Sequence, residues 1–201
     1  MKTFFRKLAV TTAAVVGAGV MLAAPAWAGE PVAAGDDFGL GETVLEETTL
    51  TDAELAAAPK FQAPFKCGQK WKGTTYNGHW PNTHSRDFWR VGGKTKGQPV
   101  LAAASGKVIE AKYGSRQGWG VSMDMGGGYK TYYFHMTGKP KVKNGQKVKQ
   151  GQLLGYVGDT GQAKGNAHLH YTVTKGGKGV KPYFNGKAHN PGDVVESKNA
   201  C

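Results

Sequence analysis

Six histidines occur in the 201 residues of this chain, and two of them stand together as His168-Leu169-His170 within Ala167 to Val173. Strand-type residues with a period of two aim both imidazoles at one side and leave Leu169, Tyr171 and Val173 for the other. Paired imidazoles on one strand face, after a Gly-rich loop, point to metal ligation or acid/base work, because imidazole binds metals and titrates near neutrality. A zinc-type site needs a third ligand, and from Lys60 onward the chain offers only six Asp and Glu. One of these, Asp87, follows His79 and His84 in the run Gly78 to Trp89. A histidine of that run, Asp87 and one member of the pair supply two imidazoles and a carboxylate, leaving a fourth position for water, the open arrangement of a catalytic zinc. The competing account of Asp87 is a salt bridge to Arg86 or Arg90.

The elements that must carry these residues are short strands. Val121, Met123 and Met125 alternate with smaller or polar residues, Gly126-Gly127-Gly128 turns the chain, and Tyr129 to His135 returns it. This spacing predicts a hairpin with Tyr133 and His135 on one face of the return strand. Asn144-Gly145 marks another turn, and Val148 to Val157, interrupted by Gly151 and Gly155, reads as one bent strand. No amphipathic helix of ordinary length is apparent, so the expectation is a mainly β domain.

Charge and hydropathy divide the chain. Lys2, Arg6 and Lys7 precede an apolar run from Leu8 to Ala24, and Ala26-Trp27-Ala28 forms a small-x-small site; residues 1–28 read as a signal peptide cleaved after Ala28. The run is shorter than the roughly 20 apolar residues that span a bilayer. Residues 29–59 carry eight Asp and Glu with no Lys or Arg, whereas residues 60–201 carry 23 Lys and Arg against six Asp and Glu, a balance of +17. The acidic stretch reads as a linker or as a pro-segment over a basic cleft. Its one local signal is Thr51-x-x-Glu54 before Leu55, a capping box for a short helix ended by Pro59. Cys67 and Cys201, in an exported chain, read as one disulfide closing nearly the whole basic domain, with two free thiols as the alternative.

The run Gly151-Gln152-x-Leu154-Gly155-Tyr156-Val157-Gly158-Asp159-Thr160-Gly161, with His168-x-His170, resembles the lysostaphin/LytM-type zinc peptidases of the M23 family. Ala104-Ser105-Gly106-Lys107-Val108, Tyr133-Phe134-His135 and Val142 to Val148 extend the resemblance over about Phe65 to Thr174. It implies an antiparallel β-sheet core and a zinc endopeptidase that cuts stems or cross-bridges of bacterial peptidoglycan. It further implies Asp87, His170 and an N-terminal histidine as metal ligands, with His135 and His168 as catalytic residues. The family commonly places its first ligand four residues before the Asp; here His84 is three before and His79 eight. His79-Trp80-Pro81 is similar to a His-x-Pro opening, which favours His79 and keeps His84 as its rival. Ala167 stands where the family usually has Pro. His189 matches nothing in the pattern and reads as a loop residue.

The +17 balance calls for a polyanionic partner, which for an exported wall-active protein means peptidoglycan and anionic wall polymers. Nucleic acid is disfavoured because no nucleic-acid fold signature accompanies the charge. Trp71, Trp80, Trp89 and Trp119 fit either a core or glycan contacts. The expectation is a monomer outside the cell, free of the membrane once the leader is removed. A catalytically inactive wall-binding or hydrolase-regulating relative is the main rival, and a lipoyl-like β domain a third reading.

Overall fold

A computed structural model describes residues 38–41 and 44–201; residues 1–28, expected to be a signal peptide, and the start of the acidic segment lie outside the described residues. The short alternating runs form strands β1 (Glu47–Thr48), β2 (Lys70–Thr74), β3 (Arg86–Arg90), β4 (Pro99–Leu101), β5 (Gly106–Gly114), β6 (Gly118–Gly126) and β7 (Tyr129–Met136). The second half adds β8 (Lys147–Val148), β9 (Leu153–Tyr156), β10 (Leu169–Lys175), β11 (Lys178–Val180), β12 (Tyr183–Phe184), β13 (Lys187–Ala188) and β14 (Val194–Glu196). Ten of them form one sheet, β14-β2-β3-β10-β7-β6-β5-β8, with β11 continuing along β10 beyond β3 and β1 pairing β11 in parallel. Every other pairing is antiparallel, so the architecture is mainly β.

Alternation decides which face each residue takes. Leu169, Tyr171 and Val173 of β10 are buried in the apolar core with Phe88 of β3 and Tyr133 of β7. Phe65 stacks on Trp71 with ring centroids 3.7 Å apart, and Phe88 packs edge-on against Phe65. Each such fully buried side chain contributes about 1.5–3 kcal/mol of transfer free energy. Trp71 is therefore core. The stretch Val148 to Val157 is not one bent strand. Gly151 turns at φ +79°, and the two halves pair with different strands, β8 with β5 and β9 with β4.

A second departure concerns β7. Val121 and Trp119 of β6 face Tyr133 and Met136 of β7, so β7 carries one residue more than its partner between these pairs. This bulge falls at His135, whose φ is +64°. Tyr133 and Met136 stay in the core, while Phe134 and His135 both turn to the opposite face. Tyr133 and His135 thus lie on opposite faces, because an extra residue reverses the alternation downstream of it. Gly120 makes room: a Cβ there would lie 2.6 Å from the Phe134 ring.

The acidic segment is packed where it is described. Phe38 and Leu40 cluster with Tyr132 and Phe134, and Leu50 joins the main core. The capping box at Thr51 and Glu54 starts helix α1 (Asp52–Ala57), in which no residue is buried. Cys67 and Cys201 form a disulfide. Next to it, Ser197 Oγ donates to the Ala63 and Phe65 carbonyls and Asn199 Nδ2 to those of Ala63 and Ala102. No helix of the described residues is long and apolar enough to cross a membrane.

Candidate metal centre and active site

Three neighbouring strands place one row of side chains on the face opposite the core. Asp87 of β3 pairs with His170 of β10, which pairs with Phe134 of β7. Phe134 stacks on the His170 ring at 5.6 Å. His79 comes from the loop after β2 and closes a triangle: Nε2 is 3.2 Å from Asp87 Oδ1 and 3.1 Å from His170 Nδ1, which is itself 3.0 Å from Asp87 Oδ1. All three residues are buried. Ligands at about 2.0–2.1 Å from a tetrahedral ion stand about 3.3 Å from one another, so two nitrogens and one oxygen at these separations fit a small divalent metal of borderline character.

Among the described residues no arginine forms a salt bridge to Asp87. Arg86, next along β3, turns to the other face, where Nη1 donates to the Thr83, His84 and Ser85 carbonyls and Nη2 to that of His189. Burial pushes its guanidinium down to about 10. Burial acts to raise the Asp87 carboxyl, but hydrogen bonds from His168, His170 and His79 outweigh it and hold the group well below the usual carboxylate range. Burial lowers His170, against the pull of Asp87. A carboxylate held ionised beside a neutral imidazole is the protonation state a cation requires.

His84 lies apart from the triangle, with Nε2 3.8 Å from Glu47 of the acidic segment. The Thr83 hydroxyl also donates to Glu47, at 2.6 Å. Burial lowers His84, with Glu47 opposing.

Two further imidazoles border the triangle. His168 Nδ1–H donates to the Asn166 carbonyl at 2.7 Å, leaving Nε2 3.4 Å from Asp87 Oδ1. His135 Nδ1–H donates to the Thr160 carbonyl at 2.9 Å, and its ring lies 4.9 Å from that of His168. A carbonyl can only accept, so both histidines carry a proton on Nδ1, and in the neutral ring of His135 Nε2 keeps its lone pair. Burial, reinforced by His170 and His168, pushes His135 down to about 3. His135 is thus neutral near neutral pH, whereas an oxyanion is best stabilised by a cationic imidazole. Thr160 organises this corner. Its hydroxyl donates to the Met136 carbonyl and accepts from Trp119 N–H, while His135 N–H donates to the Gln117 carbonyl.

The five residues Asp87, His79, His135, His168 and His170 line a cavity of about 270 Å³, with Arg116 and Trp80 at its wall. The Arg116 guanidinium lies 5.0 Å from the Trp80 ring. Arg116 and Gln117, from the turn between β5 and β6, contribute to this lining. Trp89 packs against the His168 ring at 5.1 Å. His189 sits in a loop but is only 4% exposed, wedged between Phe88 and Phe184 on the core side. The Thr160 and Asn166 carbonyls escape sequence reasoning because any residue type carries one. Thr160 does lie in the motif Gly158-Asp159-Thr160-Gly161, the one signal that drew attention to that turn.

The antiparallel sheet and the buried His/Asp/His triangle, which could hold a metal ion, make this chain similar to metallopeptidases of the lysostaphin/LytM type. Residues 91–182 match the model described as Peptidase family M23; His135, His168 and His170 fall within that match, and His79 and Asp87 precede it. Lysostaphin of Staphylococcus simulans is 34% identical over 104 residues, 50% of this chain and 20% of the relative. Peptidoglycan DD-endopeptidase ShyA of Vibrio cholerae is 38% identical over 84 residues, 42% of this chain and 19% of the relative. The chain therefore spans about a fifth of the length of these curated relatives. Among solved structures, a putative peptidase M23 from Pseudomonas aeruginosa superposes with a TM-score of 0.51 at 29% identity, covering 65% of this chain and 56% of that one. The deep-sea M23 metalloprotease pseudoalterin shares the fold at a TM-score of 0.52 and 22% identity, covering 68% and 84%.

Proposed function

We propose that this protein is a secreted zinc-dependent endopeptidase that hydrolyses peptide bonds in the stems or cross-bridges of bacterial peptidoglycan. The observation that carries the reading is the buried triangle of His79, Asp87 and His170 beside two imidazoles, His135 and His168, each anchored through Nδ1 to a backbone carbonyl. Lysostaphin and the peptidoglycan endopeptidase of Vibrio cholerae support the choice of substrate. His79 Nε2, Asp87 Oδ1 and His170 Nδ1 would hold the zinc, with His84 outside the set. When bound, zinc supplies Lewis acidity and lowers the pKa of water toward neutrality.

His168 is the nearer proton acceptor. Its Nε2 takes a proton from the attacking water, and the Asn166 carbonyl, holding Nδ1–H, steadies the imidazolium that results. His135 begins neutral and takes up a proton from solvent only as negative charge develops on the substrate, the anion offsetting the cost of a buried cation. Its Nε2–H then faces the oxyanion, and one of the two imidazoles returns a proton to the leaving amine. Residues 60–201 are the catalytic domain, and 29–59 act as a pro-segment, a reading supported by Phe38 and Leu40 packed on Phe134 beside the cavity. The lysine-rich surface retains the monomeric enzyme on peptidoglycan and anionic wall polymers, off the membrane.

The test is release of new α-amino groups from purified peptidoglycan by the full-length and Lys60-start proteins, each as prepared, chelated, and restored with zinc. Amine release that chelation abolishes and zinc restores is the expected result. A folded, zinc-loaded protein that releases none from several wall types would instead be a wall-binding or regulatory member.

A further inference from the structure

The β3–β10 ladder that sets Asp87 opposite His170 also pairs Arg86 with Tyr171. One step further it brings Ser85 opposite Thr172, two residues from Asp87 and His170 and so on the same face. The Ser85 and Thr172 hydroxyls are 2.7 Å apart, and Thr172 Oγ1 is 3.0 Å from His170 Nε2. Ser85 and Thr172 are both fully buried. His170 Nδ1, on the other side of the ring, faces Asp87 and His79. Each ring nitrogen thus has its own partners, and Nε2 has the Thr172 hydroxyl.

We propose that Thr172, backed by Ser85, is the positioning residue that sets the tautomer of His170 and so prepares Nδ1 to receive a divalent cation. This rests on the metal-binding reading given above. A neutral imidazole offers a lone pair at Nδ1 only when its proton is on Nε2, and that proton needs an acceptor in a site that water does not reach. Thr172 Oγ1 is that acceptor; its own hydrogen then points to Ser85 Oγ, which ends the chain. Without a cation the pattern reverses. His170 carries its proton on Nδ1 and donates to Asp87, Nε2 accepts from Thr172, and Ser85 donates to Thr172. A hydroxyl pair serves both states by rotating two O–H bonds, which a carboxylate, able only to accept when ionised, would not do. The imidazole is neutral in both states, so its net charge is unchanged.

Partners at the far nitrogen of a ligating histidine typically matter by about 10–100-fold in metal affinity. The experiment is zinc affinity of the full chain, by competition with a chromogenic chelator, for wild type, Thr172→Val, Thr172→Ser and the double variant Ser85→Ala/Thr172→Val. Thr172→Val should bind zinc about 10–100-fold more weakly and Thr172→Ser within a few-fold of wild type. The double variant leaves no hydroxyl orphaned in the core, so it separates loss of the acceptor from a folding defect; it should bind as weakly as Thr172→Val. Imidazole ¹⁵N resonances of the zinc-loaded wild type should show His170 protonated at Nε2. Wild-type affinity in both valine variants, or a zinc-loaded His170 bare at Nε2, would overturn the proposal while leaving the metal site intact. Wild type that fails to bind zinc would instead remove the reading beneath it.

Discussion

His79 and His84 both precede Asp87 within nine residues, and only their surroundings separate them. His79 turns Nε2 to the triangle and is braced by Thr75 Oγ1, 2.9 Å from its Nδ1, and by Tyr76 stacked on its ring. His84 faces Glu47. His79→Ala is therefore expected to lose stoichiometric zinc, by elemental analysis, and His84→Ala to keep it. His135→Ala and His168→Ala should keep zinc and lose about 10²–10⁴-fold in turnover, the usual worth of positioned acid/base groups. Acid should also destabilise the metal-free domain. Burial, reinforced by His170 and His168, pushes His135 down to about 3, and burial, reinforced by Arg86, lowers His189. An unfolded imidazole titrates near about 6.5. From there down to about 3 the unfolded chain binds more protons than the folded one, so stability falls as pH drops through that window. Asp87, held low by its histidines, adds loss in the same direction below about 3.9, its unfolded value. Chemical denaturation of chelated protein at a series of pH values checks this; a midpoint constant between pH 7 and 4 would contradict it.

At the scale of elements, the acidic segment is an added edge. β1 pairs in parallel with β11, Leu45 N–H donates to the Pro81 carbonyl, and Glu47 accepts from Thr83. These contacts grip the loop that leads from His79 to Asp87, while Phe38 and Leu40 lie on Phe134. Beginning the chain at Lys60 is expected to raise specific activity on intact walls and to lower thermal stability. The second effect follows because Leu50 leaves the core, which costs about 1.5–3 kcal/mol of burial. Specific activity equal to that of the full-length protein would refute the inhibitory role. The bulge in β7 is the other element on which the site depends. It brings His135 to the face of His168 and His170, and the Thr160 carbonyl, accepting from His135 Nδ1–H, keeps it there.

Across the whole molecule, the disulfide joins residues 134 apart, so reduction frees nearly the full length of the domain. Cross-links of this kind contribute about 2–4 kcal/mol. Ser197 and Asn199 also bind the C-terminal strap to Ala63, Phe65 and Ala102. Cys67→Ser is accordingly expected to leave a folded protein less stable by an amount in that range, measured by denaturant unfolding. Complete unfolding at neutral pH would mean that these hydrogen bonds hold less than their geometry implies.

Residue types and short-range periodicity were enough to establish the mainly β architecture, the hairpin at Gly126 to Gly128, the capping box at Thr51 and the common face of His168 and His170. Each depends on neighbours a few positions apart, and alternation or a turn residue reports it directly. The face of His135 was not legible, because a bulge is a mismatch between two strands and appears in neither alone. Nor was the division of Val148 to Val157, since two halves of one apolar run found different partners. The choice between His79 and His84, the Thr160 and Asn166 carbonyls that orient the imidazoles of His135 and His168, and the Ser85–Thr172 pair behind His170 all belong to the tertiary structure. They arise where strands distant in sequence are brought into register, and local composition carries no record of that register.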